Sequence, residues 1–347
     1  MIKQLKKILV CEFITAGGLG DTDLPDALAH EGLRMRDALL HDIAALGAFE
    51  VTVMHDARIA PSDLAARNVR VEDRQFKKMF TQMLEQVDYI WLIAPETDGV
   101  LLELSELCYR LHAQGHVFLG CGYDATLVGT SKTLCFEALQ AANIYALPVY
   151  AGDALMQADY MAGLDKLGIK KWVAKPEDGA GCEGVRLFGA LPDLQAWLAE
   201  DNRYLRYLAQ PFQQGMHASF SCLCRNGKAW LLSCNEQHIQ LDETGVVLTG
   251  ITINGMLPYW QRFETIARKI AKMLPDALGY IGVDVVIDTE NNHKIYVIEI
   301  NPRLTTSYVG LRAALACNPA RLVLDCVLSE KFIMPNIAKN QVEVQLT

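Results

Sequence analysis

Along the first 125 residues, apolar runs of strand length alternate with stretches whose apolar positions recur every three or four residues. KILVCEF (7–13), FEVTVM (49–54), DYIWLIA (88–94) and HVFLG (116–120) read as strands, and Val100, Leu104, Leu107, Cys108 and Leu111 share one face of a helix between them. Strands that are apolar throughout and joined by helices predict a parallel sheet covered on both faces, with ligands beyond the carboxyl ends of its strands. A second section begins near Gly129. Residues 131–143 read as a helix with Leu134, Ala138, Leu139 and Ala142 on one face and Asn143 at a left-handed cap, and KKWVAKPEDGAGCEGVRLF follows as strand, glycine-rich turn and strand. From about residue 210 the pattern is strand-rich: ASFSCLC, KAWLLSC, GVDVVID and KIYVIEI, with one helix turning Phe263, Ile266, Ala267, Ile270 and Leu274 inward. The expectation is an α/β unit over 1–125, followed by α/β or α+β units over 126–208 and 209–347, with no internal repeat.

Composition narrows the class. The chain has 347 residues, half of them hydrophobic, which is enough to build a core without disulfides or a structural metal. A net charge of −9 argues against a general nucleic-acid partner. No apolar run approaches the roughly 20 residues of a membrane helix. The N-terminal MIKQLKKILVCEF loses its apolar character at Glu12 with no small-residue cleavage site after it, and reads as a buried first strand rather than a signal. Ten cysteines occur without a CxxC pair. Cys222 and Cys224 share a strand face but do not make a zinc site, so reduced thiols and a cytoplasmic location are expected.

The chemistry-bearing residues come in several groups. FITAGGLGDTDLPDALAHEG (13–32) reads as a long loop with Gly17 and Gly18 in it and Glu12 at its root. It lacks the GxGxxG fingerprint, so a substrate loop is expected rather than a dinucleotide site. VGTSKT (128–133) misses the phosphate-loop pattern because Gly129 is separated from Lys132 by two residues instead of standing directly before it. At a helix N-terminus that lysine suits a bound anion or simple exposure. In VAKPEDGAGCEGV, Lys175 ends an apolar strand and Gly179, Gly181 and Gly184 form either a phosphate-covering turn or a plain hairpin. Asp284 in GVDVVID, and Glu299 and Asn301 in VIEINPR, lie on adjacent strands. The latter two are two residues apart and so on one face, a set of hard oxygen donors suited to Mg²⁺. Arg303 follows and can fork onto a phosphate or an acyl phosphate.

In that order, Lys132, Lys175 with its glycines, the strand and hinge YLAQPFQQG (207–215), Asp284 and Glu299-x-Asn301 resemble the ATP-grasp ligases over about residues 125–310. The resemblance implies an N-terminal parallel-sheet (pre-ATP-grasp) domain and a two-lobed ATP-grasp domain. It also implies ATP and Mg²⁺ as cofactors (Mn²⁺ as a substitute), with metal ligands Asp284, Glu299 and Asn301. The lysines would contact the nucleotide phosphates, with Lys175 and Arg303 in catalytic roles, and the Gln210 C=O and Phe212 N–H would read adenine. Two departures stand out: Gln210 replaces the usual hinge acid, and His217 replaces the acid that normally holds the ribose, leaving that role to His217 or Ser219. CEFITAGG, EGLRMRDALLHD and INPRLTTSYVGLR are further similar to the tyramine–glutamate ligase family of methanofuran biosynthesis. That likeness implies small-molecule carboxylate and amine substrates, with Thr305, Thr306, Ser307 and Tyr308 lining the acceptor side or capping a turn. Asn235 and Glu236 would contact the amine or merely end a strand. The alternatives are an amino-acid or dipeptide ligase of other specificity and a non-catalytic nucleotide sensor. Homodimerisation is left open.

Overall fold

The structure is a computed structural model that describes residues 5–112, 114–179, 181, 183–242 and 245–346. Strands β1 (Lys6–Glu12), β2 (Phe49–Asp56), β3 (Arg67–Val71), β4 (Tyr89–Ile93) and β5 (Val117–Phe118) form a parallel sheet in the order β3-β2-β1-β4-β5. Helices α1 (Asp26–Ala44), α2 (Phe76–Leu84) and α3 (Val100–His112) connect them. The sequence pattern missed β3 because only Val69 and Val71 of RNVRV are buried; its other positions are exposed, as befits an edge. The stretch expected to be one long loop is also shorter, since α1 begins at Asp26 and absorbs its second half. The strand order reverses between β1 and β4, where Glu12 and Ile93 are register partners, so a crevice opens at their carboxyl ends.

The chain continues through α4 (Tyr123–Thr130) and α5 (Lys132–Ala141) into a small antiparallel sheet. Its strands are β6 (Tyr150–Ala151), β7 (Trp172–Pro176), β8 (Arg186–Phe188) and β9 (Tyr207–Pro211), ordered β6-β9-β7-β8, with α6 (Ala158–Asp165) and α7 (Leu191–Ala199) beside it. A six-stranded antiparallel sheet follows, built from β10 (Met216–Arg225), β11 (Lys228–Asp242), β12 (Gly245–Ile253), β13 (Gly279–Asp288), β14 (Lys294–Asn301) and β15 (Val342–Gln345) in the order β14-β13-β10-β11-β12-β15. Helix α8 (Trp260–Met273) covers one face; α9 (Tyr308–Leu315) and α10 (Pro319–Leu328) cover the other.

Packing redraws the expected internal boundaries. Cys135 and Leu139 of α5 are buried with Phe220, Val283 and Ile300, so this helix belongs to the core of the large sheet rather than to the small lobe. β9 crosses the expected boundary at 208 and pairs with β7 along its length. The first and last parts share a core as well: Leu39 and Ile43 of α1 join Leu311, Leu315 and Val323 of α9 and α10 in one buried cluster. That continuous packing fixes the parallel sheet's crevice over the large sheet. The nine described cysteines are free and, apart from half-buried Cys317, buried, while Cys182 lies outside the described residues. Among the described residues no helix is long and apolar enough to cross a membrane.

Candidate active site

A single cleft of about 450 Å³ is lined by all three sheets' units: α1, the small sheet, the large sheet and the segment after β14. Side-chain alternation on the large sheet creates its floor. Ser219 on β10 is register partner to Asn235 on one side and Asp284 on the other, and Asp284 is in turn opposite Glu299. The Asp284 carboxylate accepts from Gln237 Nε2 at 2.7 Å and from Asn301 Nδ2 at 2.8 Å. Even so, burial and then the neighbouring Glu299 charge push its pKa up to about 8. Burial pushes Glu299 up too, but Lys132, Lys175, the Asp284 hydrogen bond and Arg303 outweigh it and hold its carboxyl below the usual value.

Two half-buried carboxylates and an amide side by side are an arrangement that a divalent cation suits, so the donor set fits Mg²⁺. Among the described residues no group of three or more His, Cys, Asp or Glu is placed to hold a metal. That agrees with a set of two carboxylates and one amide, to which Mg²⁺ adds water and phosphate oxygens.

Lys132 is the first residue of α5. Ser131 caps that helix by accepting the Leu134 N–H at 3.1 Å, and Glu177 takes the Thr133 N–H at 3.1 Å, so acid chemistry at this terminus is already satisfied from within the chain. The Lys132 ammonium donates to the Gly179 carbonyl at 2.8 Å and lies 3.9 Å from Glu299, tying the glycine turn to the metal donors. Lys175, Gly179 and Gly181 line the cleft, and Gly184 stands just outside its lining. His217 also lines it. Burial first, and then the charge of Lys175, lower its pKa, which keeps the ring neutral at neutral pH.

Three groups of expectations need correction. The Phe212 N–H donates to the Lys171 carbonyl at 2.9 Å and is not free for a base. Because Lys171–Phe212 is a bonded rung, the ladder's alternation turns the carbonyl of Pro211, paired with Trp172, away from β7. Gln210 pairs with Val173 and sends its side chain to the Leu147 carbonyl at 3.4 Å.

Glu12, Gly17 and Gly18 do not reach the cleft. Glu12 is buried and accepts the backbone N–H groups of Ile14 and Thr15 at 3.2 and 2.8 Å, staking the turn after β1. Gly17 has a φ of +87°, and a side chain at Gly18 would strike the Phe13 ring, so both glycines serve packing. Asn235 is fully buried, donates to Ser219 Oγ at 3.2 Å and orients it from behind, while Glu236 points to the opposite, exposed face. β11 instead lines the cleft with Gln237, which shares the Asn235 face, and with Ile239 and Leu241.

Tyr308 is the third. Thr305, Thr306 and Ser307 line the cleft, but the Tyr308 hydroxyl turns away to donate to Asp42 Oδ2 at 2.8 Å, beside Arg312 Nη1 at 2.9 Å. Tyr308→Phe is therefore expected to cost about 1.5–3 kcal/mol of stability while leaving both substrate KM values unchanged. A lower Tm with wild-type kinetics checks this; a raised KM with unchanged Tm contradicts it.

The site also contains acids that the sequence did not single out. Arg303, 12% exposed, makes a fork onto Glu96, 4% exposed, through Nε at 2.9 Å and Nη2 at 2.6 Å. Burial lowers the Arg303 pKa, but Glu96 outweighs it and raises the net value. Thr306 Oγ1 donates to Glu31 of α1. Glu96 follows the carboxyl end of β4 at the crevice, the one signal by which it was findable.

Residues 130–307, a little over half of the chain, match the model of an ATP-grasp domain, and residues 49–126 match a pre ATP-grasp 3 domain. The chain belongs to the ATP-grasp family. Tyramine–L-glutamate ligases of Methanocaldococcus fervens and Methanocaldococcus jannaschii are each 27% identical to it, covering 88% of this chain and 89% of the first relative, and 90% and 86% for the second. The fold is similar to the crystal structure of an ATP-grasp superfamily protein from Archaeoglobus fulgidus, with a TM-score of 0.68 and 20% identity over 99% of this chain and all of that one. ATP-grasp proteins in general bind ATP and Mg²⁺. In this family member the pair Asp284 and Glu299, the two lysines and the apolar walls Val173, Leu187, Val286 and Ile298 meet in one cleft.

Proposed function

We propose that this ATP-grasp protein is an ATP-dependent carboxylate–amine ligase that joins L-glutamate, or a close analogue, to tyramine or a related amine. The observation that carries this reading is the shared cleft. It sets the Asp284, Glu299 and Asn301 donors, Lys132, Lys175 and Arg303 around one cavity with an apolar slot at one side and hydroxyls at the other. The likeness to tyramine–L-glutamate ligases over most of both chains supports the choice of substrates.

Adenine fits between Val173 and Leu187 of the small sheet and Val286 and Ile298 of the large one, with the Pro211 carbonyl and the Gln213 N–H as its polar contacts. Neutral His217 and Ser219 stand where a ribose hydroxyl would be held. Mg²⁺ on Asp284, Glu299 and Asn301 would neutralise charge on the phosphate oxygens. Lys132 and Lys175 share that charge, and the glycine turn covers it. The substrate carboxylate attacks the γ-phosphorus, and ADP leaves. The amine then attacks the acyl phosphate carbonyl, forming the amide and releasing phosphate, with Arg303 on the transferred group. The remaining cleft walls position the reactants and exclude water, which needs no nucleophilic side chain of the enzyme.

The test is phosphate release from ATP and Mg²⁺ with L-glutamate, with and without tyramine and a panel of other amines, and mass analysis of the product. Release that requires both acid and amine, with the matching amide, is expected. ATP binding with no acid- and amine-dependent release across the panel overturns the ligase reading.

A further inference from the structure

At the α1 end of the cleft, negative charge exceeds what the nucleotide site uses. Arg303 is the cation there, and Glu96 already matches it with both carboxylate oxygens. Glu31 is a second carboxylate. It lines the same cleft, faces Arg303 electrostatically, and is oriented by the Thr306 hydroxyl. Among the described residues Glu31 forms no ion pair of its own. Lys132 and Lys175 act on Glu299 instead. One guanidinium between two carboxylates leaves a net negative charge, in a partly desolvated place where it favours a cation.

The wall next to Glu31 is apolar. Leu28 lies one turn earlier on the same face of α1, and Leu248 and Leu346 line the cleft with it. Arg34, one turn after Glu31, donates to the Gln345 carbonyl and ties the end of β15 to α1. The Leu346 N–H, bonded to the Thr249 carbonyl at 3.0 Å, fixes Leu346 beside β12.

We infer that Glu31 is the anchor for the amine acceptor, a primary ammonium with an apolar body, its charged head on the Glu31 carboxylate and its body against Leu28, Leu248 and Leu346. The inference rests on the ligase reading and deepens it. The bound ammonium gives one proton to Glu31 and becomes the free amine. Its lone pair forms the C–N bond at the acyl phosphate carbonyl, the C–O bond to phosphate breaks, and the second amine proton leaves with the phosphate. Glu31 thus selects cationic amines and makes them nucleophilic.

The experiment compares two nucleophiles on wild type, Glu31→Gln and Glu31→Asp, with ATP, Mg²⁺ and L-glutamate. Tyramine is cationic at neutral pH; hydroxylamine is uncharged there and traps an acyl phosphate as a hydroxamate. In Glu31→Gln, kcat/KM for tyramine is expected to fall about 10- to 100-fold with hydroxamate formation near wild type, and Glu31→Asp to recover part of the loss. Retained hydroxamate formation also shows the variant folded and its ATP chemistry intact. Equal loss with both nucleophiles overturns the assignment, because Glu31 then serves the donor acid or the fold. Loss with neither overturns it as well. A wild type that forms neither hydroxamate nor amide overturns the ligase reading, and this assignment with it.

Discussion

Glu299→Gln is expected to lower ATP-dependent product formation by at least about 10³-fold, because it removes one of the two carboxylates available to hold Mg²⁺ against the phosphates. The same substitution is expected to leave the fold intact, and the reason lies in the apo site. Burial and the Glu299 charge raise Asp284 to about 8, so at neutral pH without metal the pair holds one proton, on Asp284 and hydrogen-bonded to Glu299. The amide oxygen of the substituted side chain can still accept that proton's hydrogen bond, and Lys132 keeps its bond to the Gly179 carbonyl. A protein with an unchanged or higher Tm in metal-free buffer, no added thermal stability from Mg²⁺ and ATP, and almost no ADP formation is the expected outcome. Near wild-type turnover would remove Glu299 from the metal site. Loss of the fold would mean that its pairing with Lys132 is structural first.

What the sequence made legible follows the kind of signal each element carries. Strands buried on both faces announce themselves as continuous apolar runs, so β1, β2, β4 and β13 were visible. β3 was not, since two valines among exposed polar residues look like any surface segment. The residues proposed for nucleotide and metal stood out because they are residue types out of place in their surroundings: Lys175 at the end of an apolar strand, and Asp284 between buried valines. The side of the cleft proposed for the substrates was hard to read for the opposite reason. Glu31 and Glu96 sit in ordinary polar contexts, and only the docking of α1 and of the crevice after β4 onto the large sheet brings them to the cleft.

Period-two alternation places Asn235 and Gln237 on one face of β11 and Glu236 on the other, yet it cannot say which of the first two reaches the cleft. That depends on where along β11 the cleft lies, and Asn235 spends its amide on Ser219 of the neighbouring strand. The expected hinge donor, the Phe212 N–H, is spent within the small sheet. A backbone N–H carries no sequence signature, and the rung between Lys171 and Phe212 decides which peptide groups of the hinge are spent.

Arg303→Ala is expected to be the most destabilising single change in the cleft, costing about 3–5 kcal/mol, because it strands Glu96 as a buried charge that is only 4% exposed. Glu96 belongs to the parallel-sheet unit and Arg303 to the segment after β14, so the loss falls on the joint between them, and the catalytic defect and the lower Tm arrive together. Two companions separate the roles. Arg303→Lys keeps the charge without the planar fork that meets both Glu96 oxygens, so it is expected to recover part of the stability and little of the rate. Glu96→Gln removes the countercharge while leaving the guanidinium, so Arg303 keeps its charge for the proposed acyl phosphate but loses the partner that aims it. Its expected signature is a kcat about 10- to 100-fold lower with the KM for ATP unchanged, since the proposed nucleotide site uses Lys132, Lys175 and the metal donors instead. The combined Arg303→Ala, Glu96→Gln variant closes the cycle. It should regain much of the Tm lost in Arg303→Ala, because no unpaired carboxylate remains, while staying as inactive. If the double variant is as unstable as Arg303→Ala, the fork is not what joins the two units. If Glu96→Gln turns over like wild type, Arg303 needs no aiming.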